Sequence, residues 1–258
     1  MPIDKPNDNS APVFYPQMNY SISKYVDLSK FLSLIQTESI FFCRLDKLED
    51  KLEGTFPKNS KEQFKDWYLS ILNHLPPDEN VDEIKLNDYL NERINLSEKF
   101  KQINCISCWN KSISESYALW KIYSNLEQGI MIKSNVERLI KAFENSDEII
   151  SLSEIKYINH EIDIIPTGNL NYPIIHKNIA YSYEQEIRLI HQVTMDDGYF
   201  HNWNCELNVN GKYLKVDINE LIEEIIISPF APKWFFDIIE DILIKYNLKK
   251  TIKYSVLK

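Results

Sequence analysis

Glycine is scarce in this chain, and its scarcity argues against several nucleotide-binding folds. The 258 residues include 5 glycines, and the closest pair, Gly198 and Gly211, lies 13 positions apart. Such spacing leaves no G-x-G-x-x-G fingerprint, no G-x-x-x-x-G-K-[ST] phosphate loop and no G-x-S-x-G elbow. Rossmann domains, P-loop NTPases and standard α/β-hydrolases are therefore poor interpretations of this sequence.

Cysteine, basic charge and long apolar runs are also in short supply. Four cysteines in a chain of this size do not suggest a disulfide framework, which favours a reducing cytosol. Acidic residues outnumber basic ones by 38 to 29, which disfavours non-specific nucleic-acid binding. Apolar runs such as 225–227 are too short to span a membrane, and the N-terminus carries no signal-peptide core. We therefore expect a soluble cytoplasmic protein.

The material that is present suits one globular domain. Hydrophobic residues make up 44% of the chain and aromatic residues 12%, which is ample for a core. Residues 1–12, rich in Pro, Asn and Asp, are predicted as a flexible tail, and residues 13–258 as a single domain with a helical insertion at about 58–101. Strand-like alternation is strongest in three segments, 39–45, 103–109 and 183–193. Helical patterns lie between strands without a βαβ rhythm, so we predict an α+β fold with a mixed, mostly antiparallel sheet and flanking helices.

The first segment that could carry chemistry surrounds an arginine on an apolar strand. Arg44 lies on the predicted inner face of 39–45, where an unpaired guanidinium is costly. Asp46, Asp50 and Glu53 follow within nine residues. The segment is therefore either a salt-bridge cluster that fixes a loop or an arginine fork for a phosphate or a ribose.

The second segment combines a pair of cysteines with aromatic side chains. Cys105 and Cys108 form a lone C-x-x-C, and the five histidines show no zinc-ligand spacing, so no metal is expected. Alternation places Ser107 and Trp109 on one face of the strand. Trp109 is either a core residue or a surface on which a flat ring stacks.

The third segment places two acids and an arginine at one end of a predicted strand. Alternation puts Glu184, Glu186 and Arg188 on one face and Tyr183 on the other. One interpretation is a solvent-facing row whose Glu186–Arg188 ion pair contributes little. The other is a cleft in which one carboxylate stabilises a cationic sugar while the second positions an acceptor.

Taken together, these segments resemble an uncharacterised bacterial family, some members of which are associated with abortive phage infection. The matching motifs are F-x-R-x-D-x-L-x-D-x-x-E-G at 42–54, C-W at 108–109, E-S-x-A-x-W-x-x-Y at 115–123, G-x-x-I-x-S at 129–134, H-K at 176–177 and Y-x-x-E-x-E-x-R across 181–188. Asn110, where the family has His, and Lys51, where it has Pro, depart from the pattern. The resemblance implies the fold and a protein partner in a defence or toxin–antitoxin system, but no activity.

The chain order of these residues is also similar to that of ADP-ribosyltransferases, which implies an ADP-ribosyltransferase-like fold with NAD as the substrate. By this resemblance Glu186 is the catalytic carboxylate, which holds the ribose hydroxyl and stabilises positive charge as nicotinamide leaves. Glu184 orients the acceptor, and Ser107 supports Glu186 through a hydrogen bond. The early basic residue is either Lys24 or Arg44, and Arg44 is preferred for its fork.

The same resemblance implies that Trp109 or Tyr183 stacks on the nicotinamide ring and that Arg188 contributes to NAD binding. Three functions remain open: an NAD-consuming ADP-ribosyltransferase or glycohydrolase acting as a toxin-like effector, a non-catalytic sensor or partner-binding protein, and a hydrolase or nuclease. The last would place Asp46, Asp50, Glu184 and Glu186 around a divalent ion. If Glu186 lies on a polar strand face, Glu186→Gln is expected to abolish NAD turnover with little effect on melting temperature.

Overall fold

The computed structural model of the protein describes residues 13–72, 96–193 and 210–258, together with Ile3, Asp88 and Glu92. Most of the predicted tail at 1–12 and the Pro76–Pro77 break of the predicted insertion lie outside these residues. Ile3 is buried and forms an isolated bridge with Ile150.

Strands and helices are interspersed along the described chain. The strands are β1 (Ser21–Asp27), β2 (Ser39–Arg44), β3 (Asn104–Lys111), β4 (Gly129–Asn135), β5 (Ser151–Glu154), β6 (Lys156–Ile158), β7 (His176–Asn178), β8 (Glu186–Gln192), β9 (Gly211–Lys215), β10 (Glu224–Ile227) and β11 (Thr251–Tyr254). The α-helices are α1 (Leu28–Thr37), α2 (Lys58–Leu72), α3 (Tyr117–Tyr123), α4 (Val136–Ala142), α5 (Ile218–Leu221) and α6 (Lys233–Lys245), and residues 96–103 are also helical. Of these helices, α2 and residues 96–103 fall in the predicted helical insertion.

The main sheet is mixed and mostly antiparallel, as the sequence predicted. Its strands follow the order β11-β10-β4-β1-β3-β2-β9, while β8 pairs with β3 and β5 pairs with β8. Within this sheet β10 and β11 run parallel and the other pairs are antiparallel. A separate pair of short parallel strands, β6 and β7, lies beside it. The α+β class is confirmed.

The sheet forks at β3. One edge of β3 pairs with β8 over residues 104–110. The other edge is shared by two strands, because β1 pairs with it at Asn110 and Lys111 while β2 pairs with it at Cys105 and Ile106. The three residues between these positions pair with neither strand, so β1 and β2 diverge around them. The fork leaves a cleft inside the sheet.

The connection between the diverging strands is α1. Asp27 caps the helix, since its carboxylate accepts a hydrogen bond from the Lys30 amide at 2.8 Å. Phe31, Leu34 and Ile35 form its buried stripe, and each such side chain contributes roughly 1.5–3 kcal/mol by leaving water. The helix is thereby held against the core while it joins β1 to β2.

No helix in the described ranges combines the length and the apolar character needed to cross a bilayer.

Candidate active site

A cavity of about 620 Å³ lies at the fork of the sheet. Its walls come from β1 and α1, from β2 and β3, and from the segment 177–188. Cavities of this size accommodate nucleotide-sized ligands. Six of the eight predicted site residues line it: Lys24, Ser107, Trp109, Glu184, Glu186 and Arg188.

The floor of the cavity is a buried network of three glutamates and two cations. The Lys177 ammonium lies 2.5 Å from a Glu184 oxygen, 3.2 Å from Glu186 and 3.7 Å from Glu53. The Arg188 guanidinium donates through Nε to Glu186 at 2.8 Å and through Nη1 to Glu53 at 2.9 Å. All five residues are at most 8% exposed. The carboxylates therefore outnumber their cations, and none of them is a solvent-facing surface group.

Burial and charge act in opposite directions on the acids of this network. Burial by itself would raise the pKa of Glu186, but the charges of Arg188 and Lys177 outweigh it and lower this pKa to about 2. Burial raises the pKa of Glu53, which Arg188 offsets only in part. Burial also disfavours the Lys177 ammonium, yet the charges of Glu186 and Glu53 raise its pKa above the ordinary value. Glu186 is thus a fixed negative charge at physiological pH.

The segment before β8 departs from the strand that the sequence predicted. Residues Ile179–Glu184 form a 3₁₀ helix, and Gln185 adopts a left-handed conformation with φ 43°. Strand β8 therefore begins at Glu186, and the predicted alternation through Glu184 was wrong. The turn nevertheless brings Glu184 inward to Lys177, while Tyr183 is 44% exposed and does not line the cavity.

Glu53 reaches the network because a glycine follows it. Gly54 has φ +69°, a conformation that side chains other than glycine rarely adopt. A Cβ at this position would lie 2.5 Å from Leu45 Cδ2. Gly54 therefore allows the backbone turn that places the Glu53 side chain against Arg188.

The E-S-x-A-x-W-x-x-Y motif places a phenol in the site. Ser116 caps α3 by accepting a hydrogen bond from the Leu119 amide. Trp120 packs edge-to-face on Tyr25 at a centroid distance of 4.9 Å, which anchors the helix to β1. At the end of α3, Tyr123 donates a hydrogen bond to Glu184. Burial and the adjacent carboxylate raise the pKa of Tyr123, so its proton stays on the phenol.

Lys24 occupies the gap between the diverging strands. Its ammonium donates to the Cys108 carbonyl at 2.7 Å and to the Ser107 hydroxyl at 3.2 Å. It also lies 5.6 Å from the Trp109 ring centroid. Burial lowers the pKa of Lys24. Ser107 is therefore joined to Lys24, and the structure shows this bond in place of the expected one to Glu186.

Arg44 lies away from the cavity. Its Nε and Nη2 atoms bind the two oxygens of Asp46 at 2.8 and 2.7 Å. Neither residue lines the cavity. The structure thus shows the Arg44–Asp46 ion pair of this segment, whereas Asp50 and Glu53 line the cavity. It brings Lys24, not Arg44, to the site.

The sequence interpretation assigned no site role to Lys177, Glu53 or Tyr123. Lys177 and Tyr123 contact the predicted acids, and Glu53 contacts Arg188. Each lies in a motif quoted for the family resemblance: Lys177 in H-K, Glu53 in E-G and Tyr123 in W-x-x-Y. Their occurrence in those motifs was the one feature of the sequence that could have marked them as site residues. Their mutual proximity could not be read from the chain because it depends on tertiary contacts.

Several polar atoms of the cavity wall lack protein partners. Within the described residues, six buried side-chain nitrogen or oxygen atoms make no hydrogen bond, and three of them belong to cavity residues: Asp50 Oδ2, Trp109 Nε1 and Arg188 Nη2. Each such atom costs about 1–3 kcal/mol if left unpaired.

A divalent metal fits these groups poorly. Among the described ranges no set of three or more His, Cys, Asp and Glu is arranged to hold a metal ion. Lys177 already lies among Glu53, Glu184 and Glu186, and its ammonium would repel a second cation. The cysteines at 43, 105 and 108 are free thiols.

Comparison with known proteins gives a family match without an activity. Residues 119–189 match the model of the family described as "Protein of unknown function (DUF2971)". The matched segment contains the site residues Tyr123, Lys177, Glu184, Glu186 and Arg188. No curated protein and no solved structure matches the chain. The function must therefore be argued from the site.

Proposed function

We propose that the protein binds NAD in the cavity at the fork and cleaves the bond between nicotinamide and ribose. The observation that carries the proposal is Glu186, a buried carboxylate in the wall of a nucleotide-sized cavity, where it is paired with Arg188 and Lys177. The charges of these two cations hold the pKa of Glu186 below its ordinary value. A fixed negative charge in a water-poor site stabilises positive charge that develops in a transition state. Ribose acquires such a charge when the C1′–N bond breaks.

In the proposed step the electron pair of the C1′–N bond leaves with the nicotinamide nitrogen. The ring thereby becomes neutral, and the ribose becomes an oxocarbenium ion facing Glu186. Water or an acceptor hydroxyl then forms a bond to C1′ and releases its proton to Glu184, from which it passes to solvent. Lys177 and Tyr123 hold Glu184 in place through their hydrogen bonds.

Release of nicotinamide from NAD is the direct test. We expect Glu186→Gln to lower the rate at least about 100-fold, because a neutral amide no longer stabilises the cation. Since Glu186 is buried and paired twice, this variant also loses stability, and near-UV circular dichroism must establish that it is folded. Tyr123→Phe keeps the ring and removes one hydrogen bond to Glu184, so a folded enzyme with a reduced rate is expected.

The matched control is Glu240→Gln, since Glu240 is an exposed acid on α6 outside the cavity. Its rate should equal that of the wild type. Unchanged nicotinamide release by a folded Glu186→Gln protein would remove Glu186 from the reaction.

A second function, ligand binding without catalysis, is favoured by one feature of the same network. Both oxygens of Glu186 are already engaged, one by Arg188 and the other by Lys177. A sensor that binds NAD or another nucleotide would use these pairs only to shape the cavity. Saturable NAD binding without nicotinamide release would support this function over the first.

We extend the first proposal to a cytoplasmic, toxin-like effector of phage defence, with the family resemblance as its support. An enzyme that consumes NAD would arrest growth when expressed alone. Expression of the wild type should then slow growth and lower cellular NAD, and expression of Glu186→Gln should do neither. A protein partner that copurifies and blocks NAD cleavage would extend the same role.

A further inference from the structure

An aromatic pair at the edge of the cavity is left exposed by the fold. Phe41 and Tyr213 face each other across β2 and β9, with ring centroids 5.0 Å apart and planes inclined by 51°. Phe41 is 39% exposed and Tyr213 is 54% exposed. Both residues line the cavity at the fork. Cross-strand aromatic pairs stabilise sheets, but that role does not require the rings to open into a cavity.

The sheet register places this pair opposite the ionic network. Cys43 pairs with Ile106, the last β2–β3 pair before the fork. Phe41 lies two residues before Cys43 on β2, and Cys108 lies two residues after Ile106 on β3, so the two residues stand on the two sides of the fork. Cys108 in turn pairs with Arg188 on β8. The Phe41–Tyr213 pair and the Cys108–Arg188 pair therefore lie on the two sides of the fork, and all four residues line the cavity.

The separation of these two pairs indicates the size of the ligand. Three strand spacings separate β9 from β8, which amounts to about 14 Å. The divergence of the strands at the fork can only lengthen it. A mononucleotide is too short to reach from the aromatic pair to Glu186, whereas a dinucleotide spans such a distance. Lys24 and Lys30 also line the cavity, where they supply positive charge for a diphosphate.

We propose that the Phe41–Tyr213 pair is the adenine-binding subsite, on which the purine ring stacks while the nicotinamide end lies at Glu186. This assignment rests on the proposed function, because it names the end of NAD that each part of the cavity holds. Stacking on aromatic rings is worth about 1–3 kcal/mol per base, and it tolerates variation in the base.

Calorimetric titration with two halves of NAD tests the subsite. AMP carries the adenine, and nicotinamide mononucleotide carries the reacting end. Tyr213→Ala and Phe41→Ala are each expected to weaken AMP binding about tenfold or more and to leave nicotinamide mononucleotide binding unchanged. Tyr213→Phe retains the ring and should bind AMP like the wild type. Trp234→Ala is the control, since this half-exposed tryptophan lies on α6 outside the cavity.

The outcomes separate the subsite from the activity. AMP that fails to bind the wild type, or that binds both alanine variants with unchanged affinity, overturns the subsite even if NAD is cleaved. An equal loss for both halves of NAD also overturns it, because it indicates a general disturbance of the cavity. Ring-dependent AMP binding without nicotinamide release would support the subsite and count against the proposed reaction.

Discussion

Arg188 is the residue on which the buried network depends. It is fully buried, and its guanidinium binds Glu186, Glu53 and the Ile174 carbonyl. Its pKa is raised well above the ordinary value, because the neighbouring carboxylates outweigh the effect of burial. Removing this cation would leave three buried carboxylates with only Lys177 to offset them.

We predict that Arg188→Met lowers the free energy of unfolding by about 3–5 kcal/mol, the usual cost of stranding a buried charge. Urea denaturation at neutral pH measures it. Arg138→Met is the matched control, since Arg138 donates to backbone carbonyls at 2.9 and 3.3 Å and should cost about 1–2 kcal/mol. Adding Glu53→Gln to Arg188→Met should restore part of the loss. Equal losses in the two single variants would contradict the assigned role.

Among the elements, α3 is also held in place by Glu115, which lies just before it. The Glu115 carboxylate accepts hydrogen bonds from Trp120 Nε1 at 3.1 Å, from the Val256 amide at 3.0 Å and from the Ser255 hydroxyl. It thereby connects α3, which carries Tyr123, to the chain that follows β11. A single acidic side chain thus couples the C-terminal end of the sheet to the position of a site residue.

We predict that Glu115→Ala lowers the free energy of unfolding by about 2–3 kcal/mol, because buried donors lose a charged acceptor. Amide exchange should accelerate first in β11 and α3, and nicotinamide release should fall if Tyr123 moves. Glu240→Ala, a change of the same kind on the exposed face of α6, should alter neither measurement. Uniform acceleration across all strands would instead indicate a global loss of stability.

Elements with strong periodicity could be predicted from the sequence, and locally distorted ones could not. Strands β2 and β3 lie where alternation predicted them, because long apolar side chains define their faces. The start of β8 was missed because Gln185 takes a left-handed conformation that no glycine or asparagine announces. The same distortion turns Glu184 toward Lys177, so the strand alternation predicted for this site residue was wrong.

At the scale of the whole molecule, the site is assembled by the fork, which no local pattern encodes. The acids of the third segment were identified from the sequence, and their cations Lys177 and Arg188 lie close to them in the chain. Tyr123 and Glu53 reach this network from distant parts of the chain. The divergence of β1 and β2 brings Lys24 to the cavity, because the Lys24 side chain lies in the gap between the two strands. The sequence favoured Arg44 as a site residue, but Arg44 lies outside the cavity and forms an ion pair with Asp46.

Because the cavity exists only in the folded sheet, a ligand that fills it must stabilise the whole molecule. At 100 times its dissociation constant a ligand adds about 2.7 kcal/mol to the free energy of unfolding. For a chain of this size we predict that NAD at this excess raises the melting temperature by about 5–10 °C, and that the rise continues with the logarithm of NAD concentration. Scanning calorimetry of the Glu186→Gln protein, which does not consume the ligand, measures it cleanly.

Magnesium or manganese alone should produce no comparable rise, since the Lys177 ammonium lies between the acids that a metal would need and would repel it. A melting temperature that rises with these ions and not with NAD would overturn the proposed ligand. It would favour the alternative function of a metal-dependent hydrolase. Adding Lys24→Met should reduce the rise caused by NAD, because the fork would lose the cation proposed to bind the diphosphate. The strand pairs on either side of Lys24 do not depend on its side chain.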